Sequence, residues 1–160
     1  NGMAISIKRL EKLGITKKQI ADYCSNVVNF VEQGEYFSIH SLRKHGFNDE
    51  LENLGFDDEF YEGILESYSE INTLQCSNTK IFIVGEAYKE VQRKDFLASI
   101  VEDNVSISKD DFEEILVEEF GMTLAENFYI QNCLTDTDIY YDSIMEKFYI
   151  DKNTYYDELS

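Results

Sequence analysis

Two histidines and three cysteines are the side chains of this chain best suited to binding a transition metal or to acting as nucleophiles. His40 and His45 lie close together, but no cysteine or histidine follows them at a spacing typical of a zinc site. Cys24, Cys76 and Cys133 are widely spaced, and none has an evident base beside it in the sequence. No glycine-rich phosphate loop is present either. We therefore expect no metal, no cofactor and no enzymatic activity.

A run of carboxylates near the C-terminal end has the first steps of a calcium-binding loop. Asp136, Asp138 and Asp142 have the spacing of the first ligands. The glycine that such a loop needs at its sixth position is Tyr141, and the glutamate it needs at its twelfth is Lys147. Because two required positions are wrong, we expect no calcium site.

The charge of the chain is large, negative and unevenly spread. The net charge of the 160 residues is −18. Residues 1–30 hold five basic and two acidic residues, residues 31–95 hold six and fourteen, and residues 96–160 hold three and sixteen. A negative field repels nucleic-acid phosphates and anionic lipid surfaces at long range. Only the N-terminal segment could therefore approach nucleic acid without a penalty.

Length and composition are typical of a folded protein of one domain or two small ones. Hydrophobic residues make up 43% of the chain, which is enough for a sizeable core. No apolar run approaches the roughly 18 residues that span a membrane, and no charged-then-apolar leader is present. An odd number of widely spaced cysteines is typical of a reducing compartment. We expect a cytoplasmic protein with no membrane contact.

The first 92 residues carry clear signals for helices and strands. Thr16 and Gln19 form a capping-box pattern ahead of an apolar stripe, which predicts a helix over residues 17–33 that Gly34 ends. Asp57 is placed to cap a later helix. In chain order, the patterns predict a first helical piece at 5–13, the helix at 17–33, a strand at 36–39, helices at 41–45 and 57–68, and strands at 71–75 and 80–84.

A similar order recurs about 70 residues later. Apolar spacing from Phe96 predicts a helix, residues 105–107 a strand, and Ser108 with Asp111 the cap of a helix that ends at Gly121. Thr123 and Glu126 form another capping-box pattern, which predicts a helix to residue 134, and residues 139–149 have helical spacing with no hairpin signal. Matching residues 35–39 to 104–108, we predict two units, 1–92 and 93–160, with no hairpin in the second.

The order helix, strand, helix, helix, hairpin is that of a winged helix-turn-helix. The residues resemble a winged-helix module found in bacterial proteins of poorly defined role, through Tyr36-Phe37-Ser38-Ile39-His40-Ser41-Leu42-Arg43-Lys44, Gly46-Phe47, Leu54-Gly55-Phe56 and Phe60-Tyr61. The resemblance covers about residues 20–90, and a weaker resemblance extends to residue 150. Residues 13–21 are also similar to the start of many bacterial helix-turn-helix units. The expected fold class is mainly α with small β (α+β), in tandem winged-helix-like units.

The resemblance implies DNA binding, with the helix at 57–68 in the major groove. That helix begins with a cluster of carboxylates, Asp57, Asp58, Glu59 and Glu62. The equivalent segment at 125–133 offers amides that could read bases, Asn127, Gln131 and Asn132. This second segment lies in the most acidic third of the chain, and the first helix begins with carboxylates. Direct reading of DNA is therefore disfavoured for both.

Two hypotheses of different classes follow. In the first, the protein is a non-enzymatic, acidic winged-helix interaction module, part of a larger assembly, that binds a basic protein through its C-terminal half and its tyrosines. In the alternative, it is a DNA-binding transcriptional regulator that contacts the phosphate backbone through basic side chains. Those side chains are Lys8, Arg9, Lys12, Lys17, Lys18, Arg43, Lys44 and Lys80. The sequence predicts no small-molecule ligand.

Overall fold

The computed structural model describes residues 7–85 and 90–160, which form two compact units. The described residues of unit 1 fall within Asn1–Leu74 and Lys80–Glu90, and those of unit 2 within Gln75–Thr79 and Val91–Ser160. Helices dominate, and two small antiparallel sheets complete the structure. The predicted α+β class is confirmed.

The N-terminal part of the chain has the predicted series of elements. They are α1 (Ile7–Lys12), α2 (Lys17–Phe30), β1 (Tyr36–Phe37), α3 (Ile39–Lys44), α4 (Asp58–Glu66), β2 (Ile71–Cys76) and β3 (Thr79–Val84). A 3-10 turn at Glu52–Leu54 lies between α3 and α4. The sheet has the order β1-β3-β2, with Tyr36 opposite Ile83 and Phe37 opposite Phe82. Ile5, predicted to begin the first helix, lies outside the described residues.

The helix caps explain why these elements begin where they do. The Thr16 side chain accepts the backbone N–H of Gln19 at 3.1 Å, and the Gln19 side chain accepts the backbone N–H of Thr16 at 2.8 Å. The predicted capping box is therefore confirmed, and so is the Asp57 cap, which accepts the Phe60 N–H at 3.0 Å. The predicted end of α2 is three residues too late, because Val31 adopts extended backbone.

The core of unit 1 forms where α2, α3 and α4 pack together over the sheet. Tyr23 and Tyr61 are fully buried with their ring centroids 5.7 Å apart, and Phe47 meets the Tyr23 ring edge-on at 5.8 Å. Aliphatic side chains surround these rings, among them Val27, Ile39, Leu42, Leu51, Ile64 and Leu65. Burial of this apolar surface is the main stabilising contribution to the unit.

The C-terminal part of the chain forms a second sheet with helices around it. Its elements are α5 (Arg93–Asn104), β4 (Ser106–Ser108), α6 (Lys109–Glu118), α7 (Ile130–Cys133), β5 (Tyr140–Asp142), β6 (Lys147–Tyr149) and α8 (Lys152–Leu159). The sheet order is β4-β6-β5, which repeats the β1-β3-β2 order of the first sheet. Phe96 with Phe120, and Phe112 with Phe148, make edge-on ring contacts in the core of unit 2.

The predicted strand near residues 105–107 is confirmed, but the predicted match between the two units is wrong by one residue. Ile107 lies opposite Phe148 in the second sheet, as Phe37 lies opposite Phe82 in the first. A serine follows each of these two strand residues and caps the next helix. Ser38 accepts the Ser41 N–H, and Ser108 accepts the Asp111 N–H, both at 3.1 Å. Residues 36–39 therefore match 106–109.

The helix predicted over residues 123–134 is wrong for most of its length. Only α7, one turn long, is helical there, and Thr123 and Glu126 cap nothing. Leu124 and Phe128 stay half-exposed. A helix draws most of its stability from a buried apolar face, and the capping pattern alone does not supply one.

The helical spacing predicted over residues 139–149 is also wrong, because the segment is the hairpin β5–β6. Tyr140 pairs with Tyr149 and Tyr141 with Phe148, and aromatic cross-strand pairs favour a sheet. The second unit therefore has a hairpin at the position where the sequence predicted none. Its four-residue turn lacks glycine, asparagine and proline, and Asp142 with Ser143 is the only turn signal in the sequence there.

Candidate interaction surfaces

The basic side chains proposed for phosphate contact begin in the N-terminal helices. Arg9, Lys12 and Lys17 are exposed on α1 and α2. Lys18 is also exposed and pairs with Asp22 at 2.9 Å across one turn of α2, an arrangement that contributes little in water. The side chain of Lys8 lies outside the described part of the chain. The N-terminal helices thus present cations to solvent.

Arg43 is held by two carboxylates. Its Nε donates to Glu52, its Nη1 donates to Asp58 at 2.6 Å, and its guanidinium lies 5.7 Å from the centroid of the Tyr61 ring. The Glu52 side chain is only 10% exposed and also accepts the Tyr23 hydroxyl at 3.2 Å. Burial is the largest cause of the raised pKa of Tyr23, and the Glu52 charge is the next largest. We call Tyr23, Arg43, Glu52 and Asp58 the Arg43 cluster.

The Arg43 cluster fixes the connection between α3 and α4. Glu52 lies in the 3-10 turn, Asp58 begins α4, and Arg43 on α3 joins them. The Tyr61 hydroxyl supports the same turn by donating to the Leu51 carbonyl at 2.8 Å and accepting the Phe56 N–H at 3.2 Å. The guanidinium predicted to contact phosphate is therefore engaged within the protein.

Lys80 is likewise paired, on the first hairpin. Its Nζ contacts the Glu66 carboxylate in a half-buried pair. Burial raises the pKa of nearby Glu62, while the Lys80 N–H and charge oppose that change. Two carboxylates of α4 are thus directed at the start of β3. The beginning of α4, at Asp58 and Glu59, remains exposed and acidic.

The other side chains considered for metal, phosphate or base contact lie at separate places in the structure. Lys44, His40 and His45 are exposed around α3. The second segment proposed to read bases is not a groove-facing helix: Asn127 lies outside α7, and only Gln131 and Asn132 fall on its single turn. Among the described basic side chains of the set, Lys18, Arg43 and Lys80 are paired with carboxylates.

The C-terminal tyrosines mostly pack against one another. The ring of Tyr155 on α8 lies tilted against that of Tyr140, with centroids 4.5 Å apart, and meets the Tyr149 ring edge-on at 5.2 Å. The Tyr149 hydroxyl donates to Glu158, which also accepts from Lys147 at 3.0 Å. Burial, reinforced by the Glu158 carboxylate, raises the pKa of Tyr149 to about 12. These contacts attach α8 to the second sheet, and Tyr156, at 52% exposure, remains accessible to a partner.

The turn of the second hairpin, residues 143–146, exposes two large apolar side chains in succession. Ile144 is 89% exposed and Met145 is 71% exposed. We call this segment the second hairpin turn. Sequence reasoning missed it because the segment was predicted to be helical.

Asp142, considered as a calcium ligand, is 8% exposed and accepts the backbone N–H of Ile144 at 3.0 Å.

The described residues set limits on other kinds of site. None of the helices within 7–85 and 90–160 is long and apolar enough to cross a membrane. In the same ranges, no three His, Cys, Asp or Glu side chains are grouped to hold a metal ion. Cys24, Cys76 and Cys133 are free thiols.

Fold and surfaces together define an acidic α+β protein with two sheets of the same strand order. In each, a strand that follows a helix pairs with a hairpin that follows further helices. Comparisons with protein-family models, with curated proteins and with solved structures return no match.

Proposed function

We propose that this protein is a non-enzymatic, tandem winged-helix-like interaction module that binds a basic protein, as part of a larger assembly. The element order helix, strand, helix, helix, hairpin supports the winged-helix interpretation, and so does the strand order, in which the first strand pairs with the last strand of the hairpin in both sheets. The three free thiols support a reducing, cytoplasmic location.

The observation that carries the proposal is the engagement of Arg43. In a winged helix that reads DNA, the helix in the position of α4 enters the major groove. Here the first turn of that helix is acidic, and Arg43 beside it is shared between Glu52 and Asp58. A groove lined with phosphates would repel this surface, whereas lysine and arginine side chains of a protein would be attracted to it.

Residues 96–160 favour the same partner. With three basic and sixteen acidic residues, they carry a net charge of −13. Such a charge steers the approach of a basic protein and slows the approach of a nucleic acid. Binding should therefore weaken as salt is added, because screening acts on exposed charges.

DNA binding remains the alternative because Arg9, Lys12 and Lys17 are exposed on α1 and α2. We would titrate the purified protein with mixed double-stranded DNA at about 50 mM and about 200 mM salt, a range over which phosphate contacts lose much of their affinity. The proposal expects no binding at either concentration. Steep, salt-sensitive binding that Lys17→Glu with Lys18→Glu abolishes would favour the regulator instead.

A matched variant separates a local contact from the global charge. Lys109→Glu with Lys152→Glu makes the same change of charge in unit 2. Equal loss of DNA affinity in both double variants would indicate a purely global effect. For the protein partner, crosslinking at low and high salt should recover a basic protein only at low salt. Failure to recover one at either salt would refute the proposal.

A further inference from the structure

The second hairpin turn holds its apolar side chains away from the rest of unit 2. Large apolar residues exposed singly are ordinary on protein surfaces, but adjacent ones at 89% and 71% exposure are a feature to explain. Glu158 near the end of α8 binds Lys147, the first residue after the turn, at 3.0 Å. The end of α8 therefore lies at the turn end of the hairpin, and its Leu159 is 66% exposed.

The backbone of this turn is fixed on both sides. Asp142 Oδ1 accepts the N–H groups of Ile144 at 3.0 Å and of Met145 at 3.4 Å. The Glu146 carbonyl accepts the first N–H of α6, from Lys109, at 2.8 Å. Because the turn is already ordered, a partner that binds Ile144 and Met145 would lose little entropy in ordering them.

Glu146 adds a second sign that this turn is specified. Its φ of 51° lies in the left-handed region, which is unfavourable for a residue with a side chain. The other hairpin reverses direction with the polar residues Ser77 and Asn78. A hairpin in this fold therefore does not need apolar residues at its turn.

Charge decides between the surfaces that could cover Ile144 and Met145. The turn ends with Glu146, and residues 96–160 carry a net charge of −13. Anionic lipid and nucleic acid are repelled by this field. A second copy would bring two chains of charge −18 together. A protein surface that combines apolar contact with positive charge meets no such penalty.

From this geometry we infer that Ile144 and Met145 anchor the protein in an apolar surface bordered by lysine and arginine side chains on another protein. The inference rests on the proposed function and names the residues that perform it. Ile144 provides a large aliphatic contact. Met145 is flexible and adapts to irregular apolar surfaces. The net charge of −13 on residues 96–160 favours partners whose apolar surface has a basic border.

The test uses amphipathic helical peptides as defined probes. The first peptide has a leucine face and a lysine face, the second replaces leucine with serine, and the third replaces lysine with glutamate. Binding by fluorescence anisotropy is compared for the full chain, for Ile144→Ser with Met145→Ser, and for Val117→Ser. Val117 is an exposed apolar residue of α6 in the same unit and serves as the matched control. Thermal unfolding checks that all variants are folded.

We expect the lysine–leucine peptide to bind the double variant at least about tenfold more weakly than the parent chain, since burying one such side chain changes Kd by about that factor or more. Val117→Ser should bind as the parent does. The lysine–serine peptide should bind the parent and the double variant equally and weakly, and the glutamate–leucine peptide should bind neither.

Other outcomes separate the inference from the proposed function. Equal binding of the lysine–leucine peptide to the parent and the double variant would overturn the role of the turn and leave basic-protein docking intact. No binding of any peptide would overturn both. Turn-dependent binding to phosphatidylcholine vesicles would assign the turn to lipid. A dimer in sedimentation that the double variant loses would assign it to a second copy.

Discussion

Removal of Arg43 should destabilise unit 1. In Arg43→Ala, the carboxylate of Glu52, whose side chain is only 10% exposed, loses its cationic partner and keeps only the Tyr23 hydroxyl as a described side-chain partner. Asp58 would lose less, because its side chain is 61% exposed and water can replace the guanidinium. We therefore expect the Glu52 contact to dominate the effect.

The magnitude follows from three contacts and one opposing contribution. A charge-assisted hydrogen bond to Glu52 contributes about 1.5–3 kcal/mol, the exposed Asp58 pair about 0.2–1 kcal/mol, and the guanidinium over Tyr61 about 0.5–1 kcal/mol. Freeing the arginine side chain from a fixed rotamer returns up to about 2 kcal/mol. The free energy of unfolding should therefore fall by about 2 kcal/mol.

Urea unfolding followed by far-ultraviolet circular dichroism would measure this change. With a slope near 2 kcal/mol per molar, the transition of unit 1 should move about 1 M lower. Lys18→Ala, which breaks an exposed pair on α2, should leave the transition in place. If Arg43→Ala and Lys18→Ala behave alike, the Arg43 cluster does not hold α3 and α4 together.

A double-mutant cycle with Glu52→Gln tests the dominant contact. The two changes should be non-additive by about 1 kcal/mol or more, because each removes the same interaction. Additivity within about 0.5 kcal/mol would refute the reasoning. If the parent chain does bind DNA, Arg43→Ala should leave that affinity unchanged, since the Arg43 donors already bind Glu52 and Asp58. A loss of DNA affinity without a loss of stability would favour the regulator.

Three further outcomes can be checked on the same protein. Val105 is β-branched, 52% exposed and has a φ of 65°, so Val105→Gly should raise the free energy of unfolding by about 1 kcal/mol in urea titrations; a loss of stability would contradict this. Burial and a neighbouring carboxylate raise the pKa of Tyr149 from 10 to about 12. The stability that the protonated Tyr149 hydroxyl contributes to unit 2 is therefore complete below pH 10 and is lost as the pH rises to 12. In Tyr149→Phe, the stability of unit 2 should fall less steeply between pH 10 and pH 12. An unchanged slope of stability against pH would count against this prediction. Burial raises the pKa values of Cys24 and Cys76 to about 12, so a disulfide reagent at neutral pH should label only Cys133 in the folded chain, as peptide mapping would show; labelling of Cys24 first would contradict the fold.

The accuracy of the sequence predictions depended on whether the determining contacts were local. Thr16, Gln19 and Asp57 cap helices through residues only three positions away, and all were recognisable. The second hairpin was not, because cross-strand pairing such as Tyr140 with Tyr149 forms it and Glu146 adopts a left-handed conformation that glycine or asparagine would normally signal.

The candidate site depended on contacts that sequence spacing does not reveal. Arg43 looked available for phosphate because its partners, Glu52 and Asp58, lie nine and fifteen positions away and meet it only after the chain turns. Tyr61 was not recognised as buried, although its hydroxyl secures the same turn. Charge counts along the chain favour a basic protein over DNA, and that preference stays a prediction.

The repeated strand order isolates what distinguishes the two hairpins. Both have an aromatic residue of the last strand opposite the apolar residue of the first, Phe82 with Phe37 and Phe148 with Ile107. Pairing of this kind stabilises a sheet whatever its turn contains. Because Ile144 and Met145 are 89% and 71% exposed, we expect their replacement by serine to leave the sheet intact. Peptide binding by those variants therefore reports on recognition, separately from stability.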